Sequence, residues 1–172
     1  MTELPGSLEA ARQWLVALSP AQQAIGLALL TAVPWIELRG SIPLAVALGW
    51  SPLSAALVGI AANCLVVVPC YYFMQLFYDR WLSRVTLIRR AVERVRVKGA
   101  GMVERYELLG LTLFVAVPLP GTGAYAGTTL AWLLGRRRWR AMGAVAVGVV
   151  LAGIAVTLLT SGAAVALRRF FE

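Results

Sequence analysis

The chain has 172 residues, 60% of them hydrophobic and 14% charged, with no histidine and a mean hydropathy of +0.77. A water-soluble domain carries roughly 25% charged residues, so this chain has too few polar side chains to cover a water-facing surface, and lipid must solvate most of it. The formal charge of +8 does not point to nucleic acid: of the 16 Lys and Arg, eight lie between Arg80 and Arg105 and four more between Arg136 and Arg140. Those two runs flank one apolar segment, the pattern of cytoplasmic membrane loops rather than of a groove-tracking face.

The first residues lack the basic start and the apolar run of a cleavable signal. Glu9 to Leu18, with Leu8, Leu15 and Leu18 beside Arg12 and Trp14, reads instead as a short helix lying in the membrane interface. The first apolar segment, 20–50, is interrupted near its middle by Pro34, Glu37, Arg39, Gly40 and Pro43. A spanning helix needs about 20 uninterrupted apolar residues, so this segment is too long and too broken for one, and each half is too short. It is predicted to be a hairpin that enters and leaves by the same face, its return helix beginning near Ser41.

The second segment, 52–78, is apolar apart from Asn63 and Gln75 and gathers Tyr71, Tyr72, Tyr78 and Trp81 toward one end, as a spanning helix with an aromatic belt does. Cys64 and Cys70, six residues apart, fall on different faces of that helix. They are expected to be packing residues, neither a disulfide nor a metal site.

The segment 79–107 holds eight basic against four acidic residues and is placed in the cytoplasm. Within it, 82–98 reads as an amphipathic helix with Val85, Ile88, Val92 and Val95 on one stripe and Gly99 as its stop; the stripe suits the membrane surface or a partner helix, and with only two heptads present the surface is favoured. The third apolar segment, 108–135, breaks at Pro118-Leu119-Pro120-Gly121-Thr122-Gly123. It has basic runs on both sides, so it is predicted to be a second hairpin, with a return helix beginning near Ala124. The fourth, 141–167, is rich in Ala, Val and Gly and spans; Gly143, Gly148, Gly153 and Gly162 suit close helix packing in lipid. Arg136 to Arg140 reads as a positive anchor.

Each half thus reads hairpin, then spanning helix, and laying Val33-Pro34 over Val117-Pro118 gives an offset of 84 residues, close to half the chain. The predicted fold is an all-α integral membrane protein, a single membrane domain built as an inverted repeat of re-entrant hairpin plus transmembrane helix. The repeats are 20–78 and 108–167, with a cytoplasmic amphipathic helix between them. Four simple spanning helices are the alternative.

Irregular backbone at membrane depth is tolerated only where protein buries it or a wet cavity receives it. Two hairpins entering from opposite faces meet that demand by placing their tips together, with two helix N-termini presenting amides. Candidate substrate or ion-binding residues are Glu37, Arg39, Gly40, Ser41, Pro43, Pro118, Pro120, Gly121, Thr122, Gly123 and Tyr125, with Asn63 secondary. Glu37 is the one acidic residue inside any of the four apolar segments, and an ionisable residue at that depth is a functional candidate by default. It could take up and release a proton during transport, or it could form a fixed pair with Arg39 that holds the hairpin's shape. No catalytic constellation, metal site or cofactor site is read from the sequence, and the chain is not expected to be an enzyme.

Glu37-Leu38-Arg39-Gly40-Ser41-Ile42-Pro43, followed by Pro118-Leu119-Pro120-Gly121-Thr122-Gly123-Ala124-Tyr125-Ala126-Gly127, resembles the small multidrug export protein family of bacteria and archaea over nearly the whole chain. That family is distantly similar to the DedA superfamily, which is implicated in moving lipid-linked phosphates across the bilayer with membrane-embedded acidic and basic residues. The resemblance implies a multi-pass protein of a prokaryotic plasma (inner) membrane, with Glu37 and Arg39 matching the first hairpin's charged motif. The second hairpin departs from the DedA pattern in having no arginine inside it. The reading favoured here is proton-coupled transport of an anionic amphipathic substrate such as a lipid-linked phosphate. Export of cationic drugs through Glu37 is the first alternative, and a structural or assembly role without substrate is the second. The bilayer and a small or lipid-like substrate are the expected partners, and a thin monomer of this size favours a homodimer, with the glycine-rich fourth segment as its candidate interface.

Overall fold

The computed structural model describes residues 17–99, 104–119, 121–135 and 138–171. Among them are seven α-helices and no strand: α1 Pro20–Thr31, α2 Glu37–Ala47, α3 Pro52–Arg80, α4 Thr86–Gly99, α5 Glu104–Ala116, α6 Ala124–Leu134 and α7 Arg138–Phe171, with a 3-10 turn at Leu82–Arg84 between α3 and α4. The predicted interfacial helix falls mainly on 9–16, and that part lies outside the described residues, as do Pro120, Arg136 and Arg137.

Local chemistry explains the helix ends. Ser19 and Gln22 form a reciprocal capping box at the start of α1, with Pro20 in the first turn, and Ser51 caps α3 ahead of Pro52 by accepting from the Ser54 amide at 3.1 Å. Gly135 closes α6 in the left-handed conformation, φ 70°, which glycine adopts without a Cβ penalty.

Helix lengths divide the elements into two kinds. Helices α3 and α7, of 29 and 34 residues, are long and apolar enough to cross a membrane. At 1.5 Å per residue they measure roughly 43 and 51 Å against a hydrocarbon core of about 30 Å. The helices α1, α2, α5 and α6, of 11 to 13 residues, reach no more than about 20 Å each. Large apolar side chains face outward throughout, among them Leu29 on α1, Leu57 and Leu65 on α3, Leu113 on α5 and Leu158 on α7. Such a surface is stable in lipid and not in water.

The packing pattern repeats between the halves. In the first, α1 and α2 lie against each other and against α3; in the second, α5 and α6 do the same with α7. Helices α3 and α7 touch, and each also receives the other half's return helix, α6 on α3 and α2 on α7. Lipid gives helices no hydrophobic reason to associate, so close approach through small residues and hydrogen bonds must supply it. Gly59 lets Ile42 and Ser41 approach, and Gly127 admits Val115 and Val145. Thr31 donates to the Ser41 hydroxyl at 2.7 Å between the hairpin's arms, and Thr112 donates to the Ala144 carbonyl at 3.0 Å between α5 and α7.

The structure alters four sequence expectations. First, α2 begins at Glu37 and not near Ser41, because Pro43 is accommodated inside it; a proline inside a helix forfeits one backbone bond without necessarily ending the helix. Second, the helix between the halves starts at Thr86 and not at Leu82, since the chain first turns through Leu82–Arg84. Third, its apolar stripe is not reserved for the membrane surface: α4 packs on α6, Val92 is buried, and Ile88 packs against the core. Fourth, of the glycines proposed for an interface on α7, two are already used inside the chain, Gly148 against α5 and Gly153 against Ile60 of α3.

Gly148 yields a direct prediction. A Cβ there would lie 2.7 Å from the Thr112 carbonyl oxygen and 2.7 Å from Val115 Cβ, atoms that cannot swing aside. Gly148→Ala should therefore cost about 1–3 kcal/mol, the usual range for overpacking. Gly143→Ala, where nothing lies within 4 Å, should leave stability unchanged or raise it by up to about 1 kcal/mol, the helix-propensity gain. Thermal unfolding in detergent compares the two.

Candidate functional site

The turn between α1 and α2 and the turn between α5 and α6 meet, and Glu37 and Arg39 join them. Residues two apart on a regular helix do not face each other. This pair meets because Glu37 departs from helical geometry: with φ 47° it is the one non-glycine at positive φ among the described residues. That conformation costs a residue other than glycine roughly 1–2 kcal/mol, and strain of this kind persists where the surroundings over-determine it. It directs the carboxylate toward α6.

Glu37 Oε2 accepts from Arg39 Nη1 at 3.0 Å, and Oε1 accepts from the Tyr125 amide at 3.4 Å. Gly123, at the N-cap of α6, offers no side chain to that helix end. The carboxylate of the other hairpin takes the place of a cap, favourably aligned with the helix dipole. Arg39 gives Nη2 to the second hairpin, reaching Thr122 Oγ1 at 2.9 Å, the Val117 carbonyl at 3.2 Å and more loosely the Val115 carbonyl at 3.5 Å, while its Nε is buried without a partner. Thr122 in turn donates to the carbonyls of Val117 and Leu119. From the opposite direction, the Tyr125 hydroxyl donates to the Ala32 carbonyl, tying α6 to the first hairpin's turn. Each tip thereby satisfies backbone groups that the other leaves open.

The pair is unevenly exposed, 7% for the Glu37 side chain and 20% for Arg39. A cavity of about 360 Å³ opens beside it, lined by Pro34, Trp35, Ile36, Glu37, Arg39, Gly121, Thr122, Tyr125 and Ala126. Behind the pair the packing closes: Gly123 is buried, and a Cβ there would overlap the Glu37 carboxylate and Arg39 Nη1. Asn63, on α3 and fully buried, borders the same closed space with Leu38, Val115, Val149 and Ala152.

Of the residues singled out in the sequence, Glu37, Arg39, Gly121, Thr122 and Tyr125 line the cavity, and Gly123 and Asn63 stand behind the pair. Ser41 is buried and turned to Thr31 of α1. Gly40 follows on α2 with its open side toward Ile36, while Pro43 is a half-buried interior residue of α2 and Pro118 is half-buried in the second turn. Pro120 lies outside the described residues. The sequence reading did not find Trp35, Ile36 and Ala126, which line the cavity, or the carbonyls of Val115 and Val117, which hold Arg39. Position beside a proline break was the signal available for Trp35; backbone acceptors leave none.

A helical membrane protein with a buried carboxylate and a guanidinium between two helix-turn-helix tips is the class these features define. Residues 37–155, more than half the chain, match the family described as "Putative small multi-drug export protein", and the chain belongs to that family. The matched stretch begins at Glu37, directly after the first turn, and takes in Arg39, Asn63, the second turn and about half of α7. No curated protein and no solved structure matches the chain.

Proposed function

We propose that the protein is a proton-coupled transporter of a small amphipathic anion, with the substrate's charged head held where the two tips meet. One observation carries this reading: the Glu37 carboxylate occupies a position defined by the Arg39 guanidinium and the α6 amides. That is the environment a carboxylate or phosphate monoester seeks. Protonation of Glu37 removes its charge from that position and leaves Arg39 and the helix end to a substrate anion. Release of the anion lets the carboxylate return, so proton and anion exchange for one position.

The hairpins are taken to re-enter from opposite faces, as halves of an inverted repeat, with 79–107 in the cytoplasm of a prokaryotic cell and the cavity near mid-bilayer. Equivalent contacts in the two halves and four helices too short to cross support that arrangement. The homodimer belongs to the same proposal, and Gly162, which borders open space on α7, is a glycine free to serve it. A lipid-linked phosphate is the preferred substrate: the cavity takes a head group, and the outward apolar faces accept a chain in the bilayer.

A second reading follows from the family's description and from Trp35 and Tyr125 beside Glu37. An aromatic-lined pocket with a carboxylate suits a lipophilic cation. Liposome flux with polyprenyl phosphates in one arm and lipophilic cations in the other, each with and without a pH gradient, separates the two. The anion reading requires gradient-driven phosphate movement and no cation movement; flux of cations alone would overturn it, and flux of neither would favour a structural role. Cysteine labelling from the two sides tests the topology in the same vesicles. Positions 20 and 50 should label from one face, and 108 and 135 from the other.

A further inference from the structure

Asn63 is more than 90% buried on α3, and its Oδ1 has no hydrogen-bond partner. Buried acceptors are nearly always paired, so an orphan calls for an explanation. Water does not supply one: the space shared by Asn63, Glu37, Gly123, Val115, Val149 and Ala152 has no room for a water molecule. Arg39 and Glu37 border the same space, and Arg39 does not reach the amide oxygen, its own Nε being likewise buried without a partner. An ionised carboxylate only accepts, and so has nothing to offer an amide oxygen; the acid form has one O–H to donate. The acid form of Glu37 is a donor that this space can supply.

We infer that Asn63 is the positioning residue of the protonated state, its amide oxygen accepting the Glu37 O–H when the carboxyl is neutral. The ionised carboxyl is held by Arg39 and the α6 amide, both engaged with the second hairpin. The neutral carboxyl is held by α3. Proton uptake therefore moves Glu37's tether from the opposing tip to the spanning helix, and loosens the contact between tips at the moment the anion position empties. The closed space also selects the coupling ion, because a proton needs no volume whereas a metal cation does.

This inference rests on the reading that Glu37 titrates. The ionisable groups that share an electrostatic interaction with Glu37 among the described residues are Arg39 from its own helix, Tyr125 from α6 and Cys70 from α3. Helices α5 and α7 contribute Val115, Val149 and Ala152 to its surroundings. Infrared spectra of the full chain in neutral-lipid vesicles, titrated with acid and base, report it directly. A protonated-carboxyl stretch that disappears in Glu37→Gln belongs to Glu37. In Asn63→Leu that band should move to higher wavenumber, having lost its acceptor, and in Asn63→Thr, whose hydroxyl both donates and accepts, it should stay near the wild-type position. Asn63→Ala replaces the leucine variant if the larger side chain disturbs helix content by circular dichroism. A Glu37 band unmoved by loss of the amide would overturn the role of Asn63 while leaving proton coupling intact. Absence of any Glu37-dependent band at every pH where the protein stays folded would overturn both.

Discussion

Arg39→Gln should abolish transport and lower stability by about 3–5 kcal/mol, the penalty for leaving a buried charge without its partner. The guanidinium makes three kinds of bond at once: to the Glu37 carboxylate, to the Thr122 hydroxyl, and to carbonyls of the second turn. Glutamine reaches at most one of these and carries no charge. Glu37→Gln should also stop transport, but with a smaller loss of stability, because Arg39 is the more exposed of the two and keeps its neutral acceptors. Combining the two substitutions should recover part of the stability lost in Arg39→Gln and none of the flux. A double-mutant cycle on unfolding in detergent, run beside liposome flux, makes the comparison. Equal stability of all four proteins would mean that the pair does not hold the tips together. Unchanged flux in both single variants would remove the pair from any transport role.

The sequence made the breaks visible and hid what the breaks do. Pro34 and Pro118, each preceded by valine, interrupt apolar runs that were otherwise long enough to span, and the structure has turns at both places. The two long helices were equally plain, since 52–78 and 141–163 carry no charged residue and only Pro69 opposes a helix there, and α3 continues through it. Glu37 and Arg39 stood out by charge alone. Their geometry did not, because two residues apart on a helix means opposite sides. The left-handed backbone that brings them together occurs at a glutamate, a residue type with no preference for it. For the same reason the start of α2 was misplaced: Ser41 is a natural cap by composition, yet its hydroxyl is committed to Thr31. The partner of α4 was also out of reach. A short amphipathic stripe states that something apolar covers it, and only the tertiary arrangement distinguishes a lipid surface from α6.

The cap that Glu37 provides to α6 has a sequence consequence, namely why the residue before that helix is glycine. At most helix starts a serine, threonine or aspartate would serve the free amides. At Gly123 any side chain would project into the Glu37 carboxylate and Arg39 Nη1. Gly123→Ala should therefore keep the fold and lose function. The atoms it meets are the ends of two side chains, so they can be displaced at a cost of about 1–3 kcal/mol, typical of overpacking, whereas the bonds that join the tips cannot survive the displacement. Gly49→Ala, between α2 and α3 and outside the cavity lining, is the matched control. Its φ of 100° disfavours alanine, but a Cβ there meets nothing within 4 Å, so it should lose about 1–2 kcal/mol to backbone strain and retain transport. Flux normalised to folded protein, with the unfolding midpoint measured on the same samples, separates the two effects. If Gly49→Ala and Gly123→Ala lose transport in proportion to stability alone, the closed space behind the ion pair has no part in function beyond holding the helices together.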